Sequence, residues 1–574
     1  MSRITYSPWA TATTIGVVTI AAPVAVSTWA VGAAIVIAAI VVSAPAAVSA
    51  WTIPSATVRL EVVPSVPIEP FPYVEVELDG YGNGWTDVTG DCEQAFGITI
   101  RHGIQSGGPA DLVAPTGTAK FVLDNSDHNE AELLGYYSPY HANKRIGWGL
   151  GIGCRIRFKD PSTGLFYARF LGRIDAIDPS PGVDGPRLVA VTATDWMDEA
   201  ARFKLSTSIG EQVGKRWDEI LGAILAEMPR QPLAAALDTG AETYPYALDT
   251  SSVTNQTALG EFVKLAASEF GLIYVKADGT FRAEGRHTRL LRTTYDWVLD
   301  DTELQALSMP STRAEVINTV RVTIHPKVVD AAATTIVYDQ ASVITLVAGE
   351  TKFLLGSFRD PVTGDPIGAT DVVVPPVAGT DYIANTLPDG TGTNQTALVT
   401  VTVEVGQSGA NFSITNNHSA DVSLTRNQLR GRGIYDRGSQ TFAAPADAVS
   451  AESIITIGEH AVEFDMPYQA NDDVGRGAAL YLRNKYSSAF PQARTIVVFA
   501  DTADALTQML ARDISDRLTI SETVTGLSNG YFINGIELQY LPSGHLQASY
   551  ILAPAQDPFA GLYWILGTNV LGAG

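Results

Sequence analysis

The sequence has little of the chemistry that most enzymes and nucleic-acid-binding proteins use. Its 574 residues include only two cysteines, Cys92 and Cys154, which excludes a disulfide framework and a cysteine-based zinc site. The eight histidines are scattered, and no two have the spacing of metal ligands. The net charge of -23 argues against nucleic-acid binding, which needs a basic surface to displace counterions. We expect both cysteines to be small buried residues.

Sequence motifs of catalysis are scarce as well, since there is no phosphate-binding loop and no His-Glu-x-x-His motif. The glycine-rich residues 80–84 predict a turn. Asp124–Glu130 offers the oxygen ligands of a calcium loop but lacks its central glycine and final glutamate, which predicts a capped loop after a strand. Asp195, Asp198 and Glu199 predict the start of a short helix. We therefore expect no catalytic residue, no metal site, no cofactor and no enzyme activity.

The first part of the chain has no charged residue between Arg3 and Arg59. Residues 11–65 divide into five units of eleven residues, and APVAVSTWAV at Ala22–Val31 returns as APAAVSAWTI at Ala44–Ile53. The units are rich in Val, Ile and Thr, which favour strands, and a short fixed period is typical of stacked architectures. One chain of such units is too thin to bury its apolar surface, so we expect several copies to associate here as a β-structured stalk or plug.

Two alternatives remain for this segment. The apolar stretch 24–43 is long enough to cross a bilayer as a helix, either permanently or after a trigger. The second alternative is irregular packing of this segment beneath other domains.

The remainder of the chain predicts a fold that is mainly β with α+β parts. Alternating apolar residues indicate strands, and helical periodicity appears at 214–228, 258–270, 472–486 and 502–517. Asp278-Gly279 predicts the tip of a hairpin. The predicted parts are the repeat segment (1–68), a first, barrel-like β domain (69–204), a small α+β domain (205–300), a second β domain with helices (301–326 and 433–560), an inserted β-sandwich-like domain (327–432) and a C-terminal tail (561–574).

The chain contains an ordered set of short strings. The opening strings are GWTDVTGD (Gly84–Asp91), ITIRHG (Ile98–Gly103), GTAKFVLDNSD (Gly117–Asp127), YSPY (Tyr137–Tyr140), LGRIDAIDPSPG (Leu171–Gly182) and VTATDWMDEAAR (Val191–Arg202). The later strings are FGLIYVKADGTFRAEGR from Phe270, EVINTVRVT from Glu315 and GLSNGYFINGIELQY from Gly526. Together they resemble the siphophage minor tail proteins, the hub or tail-tip proteins of long non-contractile tails, particularly those of phages that infect actinobacteria.

The resemblance implies a fold related to the baseplate hub of contractile-tailed phages. Three copies would form a ring, in which two tube-like β-barrel domains per chain make a pseudo-sixfold collar on the tail tube. The implied location is the distal end of the phage tail in the virion, where the hub closes the DNA channel before infection. The implied partners are the distal tail protein, the tail tube protein, the tape measure protein and tail-tip or fibre proteins. DNA would pass through the lumen without specific binding, which suits an acidic chain.

Two other functions remain open. In the first, the chain is a receptor- or carbohydrate-binding tail-tip protein. Surface aromatics such as Tyr382 and Tyr435 and the inserted domain 327–432 would carry this role. In the other, it penetrates the host envelope through residues 10–60.

Overall fold

The structure of the chain is a computed structural model, which divides into two compact units, residues 1–67 and 68–574. The predicted stalk or plug, residues 80–83 and the predicted C-terminal tail lie outside the described residues. All of the described residues belong to the second unit and are mainly β-structured. The structure describes residues 73–79, 84–106, 108, 111–182, 185–205, 209–248, 256–310, 313, 316–406, 408–436, 440–443, 451–487 and 493–555.

The first block is antiparallel β-structure, because apolar and polar residues alternate along its strands. Ala119, Phe121 and Leu123 are buried, for example, whereas Lys120 between them is exposed. The block consists of β1 (Tyr73–Asp79), β2 (Trp85–Asp87), β3 (Ile98–Gly103), β4 (Thr118–Asp124), β5 (Gly153–Lys159), β6 (Phe166–Pro179), β7 (Leu188–Thr194) and helix α1 (Met197–Arg202).

A smaller α+β block follows, made of β8 (Lys215–Arg216), α2 (Trp217–Glu227), β9 (Ala234–Leu237), β10 (Thr243–Tyr244), α3 (Ala258–Glu269), β11 (Leu272–Val275), β12 (Thr280–Glu284) and α4 (Thr288–Leu291). Helices α2 and α3 confirm the two helices predicted from periodicity. The predicted hairpin is confirmed as well, because β11 and β12 pair antiparallel around Gly279, whose φ is +86°. Helix α3 starts at its N-cap Thr257, whose hydroxyl accepts a hydrogen bond from the Gly260 N–H at 3.2 Å.

The chain then contributes β13 (Trp297–Leu299), β14 (Leu304–Ser308) and β15 (Thr319–Ile324) before a long β-structured insertion. Within the insertion, the long strand β24 pairs with five short strands, and a second sheet has the order β19-β23-β22. Both sheets share one apolar core, in which the rings of Tyr338 and Phe412 lie 4.8 Å apart. The insertion consists of β16 (Lys327–Val329), β17 (Thr335–Asp339), β18 (Ile344–Leu346), β19 (Thr351–Ser357), β20 (Gly368–Thr370), β21 (Tyr382–Asn385), β22 (Val399–Val405), β23 (Gly409–Asn416) and β24 (Val422–Asp436).

The last block consists of β25 (Gln440–Ala443), α5 (Ala451–Ile457), β26 (Ala461–Met466), α6 (Asp472–Tyr486), β27 (Thr495–Phe499), α7 (Ala503–Ala511), β28 (Arg517–Glu522), β29 (Leu527–Tyr540) and β30 (Leu546–Pro554). Helix α6 has the predicted bounds. The predicted helix 502–517 is wrong in its second half, because α7 ends at Ala511 and Arg517 already begins β28. The side chain of Asp516 accepts a hydrogen bond from the Asp513 N–H at 3.0 Å, and this local contact replaces the next helical turn.

One sheet of thirteen strands joins the first and the last block among the described residues. Its centre is β29, whose first half pairs with β28 and whose second half pairs with β3, while β30 lies along its other edge. Phe158 of β5 and Tyr540 of β29 meet in the shared core, with ring centroids 5.9 Å apart. The two segments predicted as separate β domains therefore contribute strands to a single sheet in this chain.

Hydrogen bonds from the α+β block fasten it to this sheet. Arg289 donates to the Asn534 side-chain oxygen at 2.6 Å, and Arg292 donates to the Ser515 carbonyl at 2.7 Å. The Ser515 hydroxyl in turn donates to the Glu284 carboxylate at 2.7 Å. Charge-assisted contacts of this kind at partly buried positions fix orientation, because breaking one leaves a polar group without its partner.

Candidate functional site

No group of three or more His, Cys, Asp or Glu side chains that could hold a metal occurs among the described residues. In the loop that resembles a calcium site, the Asp124 carboxylate accepts a hydrogen bond from the Ser126 N–H at 2.8 Å. The Asn129 amide donates to the Ser126 carbonyl at 2.6 Å. Oxygens of Asp124 and Ser126 thus accept hydrogen bonds from residues of their own loop, so the predicted capped loop is confirmed.

The three acidic residues of the TDWMDEAAR string also have structural partners. Asp195 accepts a hydrogen bond from the Met197 N–H at 3.0 Å, which caps the short helix α1. Asp198 pairs with Arg202 at 2.9 Å, and Glu199 pairs with Arg230 at 2.7 Å. The prediction that these residues start a short helix is confirmed. Burial raises the pKa of Asp195 to about 7.

Both cysteines carry free thiols. Cys154 is fully buried, as predicted, and Cys92 is half-buried against the same core. Burial raises the pKa of both thiols well above the ordinary value, so neither is a thiolate nucleophile at neutral pH.

The sequence contains one match to the Gly-x-Ser-x-Gly nucleophile pattern, at Gly526–Gly530. A nucleophile of that type stands on a sharp turn between a strand and a helix. Ser528 instead lies within β29, opposite Ser521 of β28. The match therefore has no catalytic context.

The prediction of surface aromatics on the insertion is wrong, because both side chains pack into or against its core. Tyr382 is only 8% exposed, and its hydroxyl donates to the Val399 carbonyl at 3.3 Å. Tyr435 is half-buried against the same core, and its hydroxyl donates to Asp330 at 3.0 Å. Burying large apolar rings stabilises a small core between two sheets. Both tyrosines therefore contribute to packing and are not free to stack on a ligand.

The surface that stands out is the segment between β4 and β5, which we call the apolar loop (residues 133–150). It has no helix or strand, yet buried side chains hold it firmly. Tyr137 and Trp148 are buried with ring centroids 5.2 Å apart, and the Trp148 indole N–H donates to the Tyr137 carbonyl at 2.6 Å. Asn125 accepts a hydrogen bond from the Tyr137 N–H at 2.8 Å.

Between these anchors, the apolar loop presents large apolar side chains outward. Tyr140 is 100% exposed and Ile146 is 86% exposed, and Leu133, Leu134 and Leu150 are exposed as well. Residues 133–150 contain no acidic residue, although the chain has 61. The apolar loop therefore combines a fixed backbone, an apolar surface and a positive charge at Lys144.

A groove of about 660 Å³ begins beside the end of the apolar loop, and we call it the charged groove. A β-bulge in β6 between Ile174 and Ala176 directs the Asp175 carboxylate toward Arg202, at 2.7 Å. Gly172 forms part of the floor, where a Cβ atom would lie 2.1 Å from the Thr194 carbonyl oxygen. Apolar side chains on its rim are Trp85, Leu150 and Leu233.

The charged groove has an excess of negative charge. Five carboxyl groups line it against three guanidinium groups, and one of the five, Asp195, has its pKa raised to about 7 by burial. Arg202 bridges Asp175 and Asp198, and Arg230 pairs with Glu199, so the ionised carboxylates outnumber the guanidinium groups by one when Asp195 is protonated and by two when it is not. A groove with this lining favours a neutral or cationic occupant over an anionic one.

No helix among the described residues has both the length and the apolar character needed to cross a membrane.

Comparison with known proteins gives similarity in fold only. No family model and no curated protein matches the sequence. The chain is similar to the 43 kDa tail protein of prophage MuSo2 from Shewanella oneidensis, with a TM-score of 0.45 and 10% identity over 84% of this chain and 99% of that one. It is similar to a tail protein from Neisseria meningitidis MC58, with a TM-score of 0.40 and 9% identity over 84% and 96% of the two chains.

A third similar structure is the prophage tail protein gp18 from Listeria monocytogenes EGD-e, with a TM-score of 0.38 and 6% identity over 83% of this chain and 94% of that one. All three TM-scores lie below 0.5, so we argue function from this chain's own residues.

Proposed function

We propose that this chain is a structural protein of a bacteriophage tail, a trimeric hub at the distal end of a long non-contractile tail that joins the tube to the tip. The observation that carries the proposal is the placement of the strings that resemble the family. Six of the nine strings fall on β2, β3, β4, β6, β7 with α1, and β29, which all belong to the large sheet, whereas the other three fall on the apolar loop, on β11 and β12, and on β15. The resemblance therefore coincides with a structural core and with no catalytic arrangement.

The physical properties of the chain suit this role. A conduit for DNA must let phosphate pass, and a net charge of -23 repels phosphate over the molecule as a whole. The contacts of Arg289 and Arg292 join the α+β block to the large sheet, which suits a structural component of an assembly. The three solved structures reported above are themselves tail proteins.

The proposed partners follow from the proposed location. Within the virion, the hub contacts two further copies of itself, the distal tail protein, the tail tube protein and the tape measure protein. Tail-tip or fibre proteins attach below it. The hub closes the DNA channel before infection, and DNA then passes through its lumen without specific binding.

Immunogold electron microscopy of purified tails tests the proposal. Antibodies against residues 73–555 are expected to label one cluster at the distal end of each tail. Antibodies against a tube protein serve as the control, because they label the whole length. Uniform labelling by the first antibody, or labelling at the head-proximal end, would contradict the proposal.

We further propose that residues 1–68 associate between copies as a stalk or plug, because this long uncharged segment needs sister subunits to cover it. Sedimentation of the chain with and without these residues tests the idea. A truncated chain that associates less tightly supports it. Insertion of a peptide of residues 10–60 into liposomes, with a helical circular dichroism spectrum, supports the membrane alternative instead.

A second candidate function is receptor binding by the insertion. It is favoured by strand β19, which lies at a sheet edge and leaves Phe353 and Leu355 largely exposed on its outer face. Adsorption of the recombinant chain to host cells, and its loss in the double variant Phe353→Ser/Leu355→Ser, is the expected result for this function. Adsorption that persists in the variant would contradict a role for this face.

A further inference from the structure

We propose that the apolar loop of one copy inserts into the charged groove of a second copy of the same chain. The inference deepens the proposed function, on which its trimeric form rests, by naming the surfaces through which subunits meet.

The first observation is the exposure of large apolar side chains on a backbone that buried anchors fix. Tyr137 and Trp148 anchor the backbone on both sides of the segment that carries exposed Tyr140 and Ile146. Soluble proteins rarely leave a contiguous apolar patch uncovered, and a fixed patch loses little conformational entropy when a partner covers it. The apolar loop therefore has the physical character of a binding element.

The second observation is the shape of the charged groove. Its volume of about 660 Å³ admits protruding side chains rather than a flat surface. Leu233 and Trp85 are exposed apolar side chains at its rim, and Gly172 is a lining residue without a side chain. An occupant that is apolar at its centre and polar at its edge fits this lining.

The third observation is charge complementarity, which selects the occupant. The apolar loop has exposed Lys144 and no acidic residue, whereas the groove has more ionised carboxylates than guanidinium groups even when Asp195 is protonated. In a chain with 61 acidic and 38 basic residues, most other surface segments would bring further negative charge to the groove. A second copy of the apolar loop brings positive charge and apolar surface together.

The geometry requires the two elements to come from different copies. Leu150 ends the loop and also lines the groove, and the anchored Tyr140 is fully exposed instead of lying in the groove of its own chain. Two different surfaces then meet at each contact, which makes the association head-to-tail. Contacts of this type close into a ring when the rotation between copies permits.

Disulfide cross-linking of the full-length chain tests the contact directly. In the double variant Tyr140→Cys/Leu233→Cys, mild oxidation is expected to give a ladder of linked dimers and trimers on a non-reducing gel. The native thiols do not compete, because Cys154 is buried and burial raises the pKa of both. Each single-cysteine variant should remain unlinked. Equal cross-linking of Tyr140→Cys alone would overturn the proposal, because it would indicate a loop-to-loop contact.

A third substitution in the double-cysteine background checks specificity. Ile146→Asp is expected to lower the cross-linking yield roughly tenfold, because it brings an unpaired carboxylate into an acidic groove. Val362→Asp is the matched control, since Val362 is 90% exposed on the insertion, away from both surfaces. Equal yields in the two variants, with unchanged thermal unfolding, would overturn the proposal.

The outcomes also separate this inference from the proposed function. Gold labelling at the tail end without cross-linking would refute the contact and leave the hub role intact. Cross-linked trimers of a chain that antibodies detect along the whole tube would support the contact and refute the hub role. If the chain does not cross-link but Ile146→Asp abolishes its incorporation into tails, the loop binds another tail protein, and the second-copy proposal is wrong.

Discussion

At the scale of single residues, Gly172 is a position where the backbone of a neighbouring strand leaves no room for a side chain. A Cβ atom there would lie 2.1 Å from the Thr194 carbonyl oxygen and 2.7 Å from the Phe170 ring. Because both neighbours belong to the paired strands β6 and β7, neither can move without disturbing the sheet. We expect Gly172→Ala to lower the free energy of unfolding by about 2 kcal/mol in chemical denaturation.

Gly149→Ala is the matched control for this prediction, because no atom lies within 4 Å of its Cβ position and its φ is not positive. That variant should be neutral or slightly stabilised, since alanine restricts the unfolded chain more than glycine does. Equal effects of the two substitutions would show that Gly172 is not confined as described.

Asp195 predicts a pH dependence of stability. Burial raises its pKa in the folded state from 3.8 to about 7, so the folded chain keeps a proton that the unfolded chain has already lost. Its contribution to stability is therefore complete below about pH 4 and is lost as the pH rises to about 7. Across that window the free energy of unfolding of the wild type should fall by up to about 4 kcal/mol relative to that of Asp195→Asn.

Urea denaturation of both proteins at intervals between pH 4 and pH 8 measures this difference. Asparagine also caps a helix and has nearly the same shape, so any constant offset between the proteins cancels in the slope. Parallel stability profiles would mean that Asp195 titrates normally and that its side chain is hydrated.

At the scale of elements, helix α3 depends on its N-cap. The Thr257 hydroxyl accepts the Gly260 N–H, and the helix packs its buried face against α1, α2 and β26. We expect Thr257→Ala to lower the free energy of unfolding by about 1 kcal/mol, and Thr257→Ser to restore most of it. Thermal unfolding monitored by circular dichroism distinguishes them, and an Ala variant as stable as the Ser variant would contradict the cap.

The elements also show which parts of the fold are readable from sequence. Helix α6 has its predicted bounds because its signals are local, with Asn471 as the cap and Arg483 in the last turn. The end of α7 was predicted wrongly because the apolar spacing continues past Ala511, whereas the contact between Asp513 and Asp516 that ends the helix leaves no periodic signal.

The large sheet and the candidate site were not predictable by the same route. Arg101 of β3 meets Glu537 of β29 across 436 positions, and no local pattern encodes such a pairing. The charged groove has no motif, because a bulge at Asp175, helix α1 and residues near Leu233 come together only in the folded chain. The apolar loop did leave a trace, since Tyr140 and other large apolar residues lie in a stretch without acidic residues.

At the scale of the whole molecule, the insertion joins the rest of the chain through a narrow stem. Lys327 pairs with Asp436 where the chain enters and leaves it, and one step further Ile324 pairs with Gln440. The insertion has its own core, with no buried residue shared with the large sheet. Segments with adjacent ends and a separate core are typical of domains that can be removed as a unit.

Replacing residues 330–433 by Asn-Gly, which favours a tight hairpin turn between Val329 and Ile434, is therefore expected to leave the large sheet folded. The shortened chain should keep the wild-type resistance of residues 73–326 to limited proteolysis, and should cross-link through Tyr140→Cys/Leu233→Cys as the full chain does.

A control deletion that removes β19 alone should fail to fold, because it exposes the apolar face of β23 within the insertion core. If the shortened chain still enters tails but no longer adsorbs to cells, assembly and receptor binding belong to different parts of the molecule. If it instead unfolds throughout, the stem is not a boundary, and the insertion stabilises the sheet from which it departs.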